Sequence, residues 1–493
     1  MKKSFLWFVA FLCASGILAQ SEIDKVKATV NKSDIEGHIY FLADDLLKGR
    51  EAGTPENKIA AAYLANTLRS YGVKPNPKTG DFYQMVPLQK KEAPKPMFLS
   101  VNGKKIKQNL VMKSAEIDIT TEGVYLGHGM ESDYKGKDVR NKFVIVKSGS
   151  EKSTGIQSAF VLRGQKEELA KAAGALGVIE LIDANSGIWG RISHFINGTR
   201  LELGSDKDGS KDDSNFGYIW LQDKGGNMDD EISNGPNLQL KVQMAASPTS
   251  MIMTQNVIGV VEGTDPKLKN EYIIYSAHYD HVGIGSPDAK GDTIYNGARD
   301  NAVGTTTVLS MAENLAMYPT KRSALFILFT AEEKGLLGSK YYVENPVLPL
   351  DQMVYCFNSD NGGYNDTSLA TIVGLDRTTA RKNIVDAADS FGLKAIEDPA
   401  PEQGLFDRSD NVHFAAKGIP APTFSMGFSS FDGEVTKYYH QPGDHADSMD
   451  YNYLLKFFRA YVMAGRSIGN DPNTPFWVIG DKYESAGNEL YGN

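Results

Sequence analysis

Cysteine is almost missing. Two occur in 493 residues, Cys13 and Cys356, so no disulfide framework is available and the fold must rest on buried apolar cores. Basic residues are outnumbered, 52 Lys and Arg against 61 Asp and Glu, for a net charge of −9. That balance argues against nucleic acid or an anionic lipid surface as partner. Long hydrophobic runs are missing except at 5–18, which is short of the roughly 20 residues a spanning helix needs. Lys2 and Lys3 precede that run, and Ile17-Leu18-Ala19 lead to Gln20. Residues 1–19 therefore read as an export signal, and the expected location is periplasmic or extracellular. Leu12 stands before Cys13 where a lipoprotein signal wants a small residue. Histidine is also scarce, at 8, which makes the placement of each one informative.

What is present describes an ordinary globular chain, 41% hydrophobic and 23% charged. Its length exceeds one compact core, so two or three domains are expected. Residues 34–71 read as helix-rich, with Ala61, Leu64, Ala65 and Leu68 at helical spacing. From about 90 to 250 the texture changes. Short β-type runs at 123–126, 142–146, 177–181, 218–221 and 238–242 alternate with Gly/Asp/Ser/Asn stretches, the richest at 204–215. A helix around Leu169, Ala172 and Ala173 precedes the run at 177–181. From 256 onward, strands at 272–277, 323–330, 353–357 and 421–425 alternate with helices at 302–316, 335–343, 378–391 and 451–464. This predicts an α/β fold with a mostly parallel or mixed sheet flanked by helices, carrying an inserted β-rich domain. The expected division is 1–19 signal, 20–89 first part of the main domain, 90–250 insert, 251–470 second part, and 471–493 a tail.

His278, Glu332, Glu333 and Asp360 each follow a predicted strand by one to three residues. Strand carboxyl ends are where sites gather in such sheets. With Asp300 and His440 these residues can supply a two-metal hydrolase. Zinc accepts His nitrogen and carboxylate oxygen with three protein ligands and leaves a place for water. Asp300 can bridge two ions. His278 and Asp360 can complete one, and Glu333 and His440 the other. Glu332 is the spare carboxylate, able to act as general base. Asp280, two residues from His278, can accept the ring's other N–H and fix its tautomer.

These motifs resemble the M28-type zinc aminopeptidases. The matching stretches are 277–283 (AHYDHVG), 297–304 (GARDNAVG), 330–335 (TAEEKG), 358–360 (NSD) and 439–444 (YHQPGD), in family order. Residues 42–55 (LADDLLKGREAGTP), 408–410 (RSD) and 414–420 also resemble family segments. Residues 171–179 (KAAGALGVI) and the position of the insert resemble a protease-associated domain. The resemblance implies two divalent ions, zinc first, a cis peptide after the bridging Asp300, and Tyr439 as donor to the oxyanion. It also implies peptide substrates with a free amino terminus, whose amine can bind the second ion or a nearby carboxylate, Glu332 or Asp410. Arg299 departs from the pattern, since many relatives carry an acidic residue there. Asn411-Val412-His413 departs from a more usual His-x-Pro.

Singly, each motif has a plainer reading. Glu332-Glu333 could be a solvated helix face, Asp300-Asn301 a helix cap, Asp360 a turn former, and His440 loop punctuation. Their joint order favours a site. His281, His413 and His445 read as structural or supporting residues, and His38, His128 and His194 as ordinary ones. Cys356, inside an apolar strand, reads as core. The expected function is an exported metallo-exopeptidase releasing amino-terminal residues. The alternatives are acyl transfer of the glutaminyl-cyclase type on one zinc, or a peptidase-like binding ectodomain without catalysis.

Overall fold

The computed structural model describes residues 20–153, 155–204, 215–233 and 238–492. The expected signal segment and most of the loop at 204–215 lie outside the described residues. The chain divides into two compact units. The larger is built from the chain up to Val86 and from Thr254 onward, the smaller from Pro87 to Met253.

The larger unit is organised by strands with no polar face. Ser323–Phe329 is buried at every position, as is Met353–Ser359. Uninterrupted apolar runs of this kind suit strands covered on both sides. Tyr272–His278 lies between them, parallel to both. Successive side chains alternate between two cores, as strand geometry requires. Tyr275, Phe326, Leu328, Tyr355 and Phe357 enter one. Ile274, Leu325, Ile327, Phe329 and Cys356 enter the other.

Around this centre the sheet is mixed. Its order runs Lys394–Glu397, Leu369–Val373, Thr423–Met426, Met353–Ser359, Tyr272–His278, Ser323–Phe329, Thr249–Val261, then Tyr83–Lys91. Leu369–Val373 is antiparallel to Thr423–Met426, and Thr249–Val261 is antiparallel to Ser323–Phe329. Helices Glu22–Thr29, Lys32–Leu42, Pro55–Ser70, Gly304–Met317 and Tyr451–Asn470 bury residues in the first core. Their starts are chemically marked. Thr54 Oγ1 accepts the Asn57 N–H at 3.2 Å, with Pro55 in the first turn. Asp450 accepts the N–H groups of Asn452 and Tyr453.

The stretch 471–493, expected as a tail, is packed through its described residues. Trp477 is 2% exposed and donates its indole N–H to the Gly418 carbonyl at 2.8 Å. The hydroxyl of Tyr491, in helix Glu484–Tyr491, donates to the Met353 carbonyl at 2.6 Å. Two large aromatics that find both apolar cover and a carbonyl hold the segment down.

The smaller unit has its own sheet of eight strands, ordered Lys104–Lys105, Phe98–Val101, Leu238–Met244, Ile117–Tyr125, Phe143–Lys147, Gly177–Ile182, Gly217–Gln222 and Asn109–Lys113. It separates two cores, one with Val144, Val146, Val178 and Trp220, the other with Phe143, Ile145, Ile179 and Ile219. In the first, Glu180 accepts from Lys166 Nζ at 2.6 Å and from Tyr218 and Trp220 at 2.9 Å. Three donors satisfy a carboxylate that burial would otherwise penalise. No helix of the described residues is long and apolar enough to cross a membrane.

Candidate metal centre

The carboxyl ends of the three central strands deliver the site. Tyr272–His278 ends on His278, whose carbonyl accepts the Thr305 hydroxyl at 2.8 Å. Met353–Ser359 ends one residue before Asp360, whose carbonyl is held by the Ser425 hydroxyl. Beyond Ser323–Phe329 the chain turns sharply at Ala331, at φ 56°, and presents Glu332 and Glu333. Asp300 lies in an irregular turn ahead of helix Gly304–Met317, and its peptide bond to Asn301 is cis. Asn301 staples that turn, donating to the Ser359 carbonyl at 2.9 Å and accepting the Gly304 N–H at 3.0 Å. The helix therefore starts at Gly304, two residues later than the sequence suggested.

These ends converge. Asp300 Oδ1 is 3.4 Å from His278 Nε2, and Asp300 Oδ2 is 3.2 Å from His440 Nε2. His278 Nε2 is also 3.2 Å from Asp360 Oδ1 and 4.0 Å from Glu332 Oε2. His440 Nε2 is 3.0 Å from Glu333 Oε2. One carboxylate thus offers a different oxygen to each of two imidazoles, each with a further carboxylate of its own. His278, Glu332 and Asp360 form one group with metal-ligand spacing, and His281, Asp300, Glu333 and His440 another. Both lie in the larger unit. His281, expected in a structural or supporting role, stands among the second group. Its Nδ1 is 2.7 Å from Glu333 Oε1, and its Nε2 is buried without a hydrogen-bond partner.

The electrostatics match the crowding. Burial pushes the Glu332 carboxyl well up; His278 opposes this, while Asp360, Glu333 and Asp410 add to it. Burial would also lower His440, but Asp300 and Glu333 raise it to about 10. Burial and Asp300 would raise Glu333, but His281 and His440 bring it down to about 2. Imidazolium and carboxylate hold one another charged in a cavity that otherwise favours neither. The donor set of imidazole nitrogens and carboxylate oxygens, with net negative charge, fits zinc.

Other expected residues fall as follows. The Asp280 carboxylate stands 3.9 Å from His278 Nδ1, beyond hydrogen-bond range, and the ring faces Asp280's own main-chain carbonyl at 3.2 Å. The carboxylate instead accepts the N–H groups of Glu332 and Glu333 at 3.1 and 3.4 Å. The Asp280 carboxylate therefore orients the two glutamates, while its main-chain carbonyl orients the histidine ring. Tyr439 stacks on His440 with ring centroids 4.0 Å apart, and burial followed by Asp300 and Glu333 raises its hydroxyl well above the usual range. It lines a largely apolar pocket with Asp360, Val373, Phe428, Phe431 and Val435. Ser409 also lines this pocket, whereas Asp410 does not. Asp410 is 1% exposed and burial pushes it up to about 7, so it is out of reach as a substrate anchor. Arg299 turns away from the site and pairs with Asp444. His413 is partly buried away from the ligand groups, and His445 faces Asp292 at 3.4 Å.

The larger unit is thus a mixed α/β sheet with a carboxylate and imidazole cluster at its strand ends. Comparison adds that residues 256–464 match the model of peptidase family M28. Aminopeptidase YwaD of Bacillus subtilis (strain 168) is 33% identical over 213 residues, 42% of this chain and 42% of its own length. Aminopeptidase Y of Saccharomyces cerevisiae is 27% identical over 221 residues, 42% of this chain and 38% of its own. The chain thus spans about two fifths of the length of these relatives. The solved aminopeptidase from Aneurinibacillus sp. strain AM-1 shares the fold, with a TM-score of 0.61 at 23% identity, covering 92% of this chain and 97% of that one.

Proposed function

We propose that this protein is an exported aminopeptidase that hydrolyses the first peptide bond of peptides at a centre of two divalent ions, zinc by donor chemistry. The observation that carries this reading is Asp300, with one oxygen toward His278 at 3.4 Å and the other toward His440 at 3.2 Å. His278, Asp360 and Asp300 would hold one ion, and His440, Glu333 and Asp300 the other. Two such ions supply Lewis acidity toward the scissile carbonyl and make water acidic near neutral pH.

The chain's own residues do the rest. Glu332 is left without a ligand duty, and its carboxyl is pushed up by burial. It takes a proton from water and passes it to the leaving amine. Asp280 fixes where Glu332 and Glu333 point through their N–H groups. His281 holds the second oxygen of Glu333. Tyr439, kept protonated, donates to the oxyanion that forms on the carbonyl. The pocket walled by Val373, Phe428, Phe431 and Val435 receives the first side chain. The unit from Pro87 to Met253 is read as a protease-associated-like selector, and export rests on segment 1–19.

The experiment is a panel of aminoacyl reporter substrates with metal content measured on the same preparation, before and after a chelator. Activity that needs two equivalents of metal supports the reading. Full activity without metal sinks it. A glutaminyl-cyclase type of activity would need only one ion. The second cluster, His440 with Glu333 at 3.0 Å, favours hydrolysis.

A further inference from the structure

Arg50 lies in the segment 42–55, which carries none of the metal-site residues. Its side chain is 1% exposed. Among the described residues no carboxylate lies within ion-pair distance of it. Its guanidinium instead donates to four main-chain carbonyls. Nε donates to Tyr279 at 2.8 Å, Nη1 to Asn296 at 2.7 Å and to Leu42, and Nη2 to Gly297 at 3.1 Å.

The positions of those carbonyls matter. Tyr279 stands between His278 and Asp280. Asn296 and Gly297 lead directly into the turn that carries Asp300. Leu42 ends helix Lys32–Leu42, where carbonyls lack partners within the helix. One planar fork of donors therefore fixes two ligand-bearing loops to each other and to a helix end.

Neighbouring residues seat the fork. Gly49 has φ +70°, and a Cβ there would come within 2.4 Å of the Tyr295 carbonyl oxygen and 2.6 Å of the Gly283 carbonyl oxygen. Asn296 Nδ2 donates back to the Ala43 carbonyl and to Asp45 Oδ1, both at 2.8 Å. Asn57 Nδ2 donates to the carbonyl of Arg50 itself at 3.0 Å. Burial lowers the guanidinium to about 10, while Asp280, Asp300, Asp444 and Glu333 oppose that. Arg50 is a cation set behind an acidic site, bound only to neutral carbonyls.

We propose that Arg50 is a positioning residue of the metal centre, holding the His278 and Asp300 loops at ligand spacing before any ion binds. This rests on the metal-centre reading above. It explains why a full charge is buried where no anion pairs with it. A purely structural clamp could tie any two loops, whereas this one ties the loop of one ion's histidine to the loop of the shared carboxylate.

The test uses the full chain stripped of metal, with zinc alone as probe. Zinc affinity is read by competition with a chromophoric chelator, alongside the melting temperature of the metal-free protein, kcat and KM. Arg50→Gln is expected to bind zinc about 10–100-fold more weakly, the usual loss when an outer support of a metal site is removed. kcat should fall more than KM rises, and Arg50→Lys should recover part of the affinity. A folded Arg50→Gln that binds zinc as the unaltered protein does overturns the proposal, even if it melts lower. If Arg50→Gln does not fold, Arg50→Lys decides: it keeps the charge without the fork, and unaltered zinc affinity there also overturns it. An unaltered protein that takes up no zinc would instead defeat the metal-centre reading, before any variant is compared.

Discussion

Arg299 and Asp444 form a buried clasp between the turn of Asp300 and the loop that follows His440. Arg299 Nη1 lies 2.8 Å from Asp444 Oδ1, while Asp444 Oδ2 accepts the main-chain N–H groups of Arg299 and Asp300 at 2.9 and 3.3 Å. The guanidinium also donates to the Ser448 hydroxyl and carbonyl, and stacks over Tyr438 at 3.9 Å. The departure at position 299 thus has a purpose away from the substrate. It ties the turn of Asp300 to Asp444, four residues after His440.

Breaking that clasp leaves a buried charge without its anion. Asp444→Ala is expected to cost about 3–5 kcal/mol of stability, the usual penalty for removing one partner of a buried pair. It should also weaken the ion position of His440 and Glu333 first. Chemical denaturation and metal content of the folded variant check both. A cost below about 1 kcal/mol would mean that water reaches Arg299.

Asp300 and His440 should differ in metal stoichiometry. Asp300→Ala removes an oxygen from both positions and is expected to abolish stoichiometric binding of either ion. His440→Ala should leave one equivalent bound, on His278 and Asp360. Elemental analysis of the desalted variants decides, and two equivalents retained by Asp300→Ala would rule out the bridge.

Glu332→Gln is nearly isosteric but cannot take a proton. It is expected to keep its metal and lose about 10²–10⁴-fold in kcat. Glu333→Gln should instead weaken metal binding. Near-normal turnover by metal-loaded Glu332→Gln would move the base elsewhere.

The metal-stripped protein should show a defined pH dependence. His440 is raised to about 10, chiefly by Asp300 and Glu333 against burial. That is above an unfolded value of about 6.5. Its contribution is therefore fully present below about pH 6.5 and is lost as pH rises toward 10. Glu333 is lowered to about 2 by His281 and His440 against burial and Asp300. Its contribution is present above about pH 4.3 and is lost as pH falls toward 2. Stripped protein should accordingly melt at a lower temperature at pH 9.5 than at pH 6.5. Zinc uptake at neutral pH should release protons. Melting curves in chelator and a proton-release titration measure the two effects. A stripped protein that melts equally at both pH values would contradict the first.

A free amino terminus should be required. In the proposed reading, the pocket lined by Asp360 and Tyr439 receives the first side chain, and Glu332 is the carboxylate offered to the amine. One peptide offered free and acetylated is the comparison. Equal cleavage of both would replace the exopeptidase reading with an endopeptidase on the same centre.

The central strands were legible because Ser323–Phe329 and Met353–Ser359 are runs that only a doubly covered strand explains. The cluster at the strand ends was legible because His278, Glu332, Glu333 and Asp360 follow such runs directly. Leu369–Val373 and Lys394–Glu397 carried no comparable signal, being short and, in the second case, half-exposed at the sheet edge. Trp477 and Tyr491 looked like a tail because their partners, Gly418 and Met353, lie far away in sequence. Arg50 was silent for the same reason, since its carbonyl partners at 279, 296 and 297 leave no periodic trace. Asp280 was placed correctly beside His278, but the spacing of two could not tell which neighbour its carboxylate would face.

Cys356 lies in the central strand Met353–Ser359, fully buried, with its thiol pushed up to about 12 by burial. A thiol so protonated and enclosed is inert to alkylating reagents and oxidants while the sheet is closed. It is also the only cysteine beyond position 13. Nature has thus left one silent reporter at the heart of the sheet that delivers His278, Glu332, Glu333 and Asp360. The rate at which Cys356 takes up a thiol label measures how often that sheet opens, without any engineered probe.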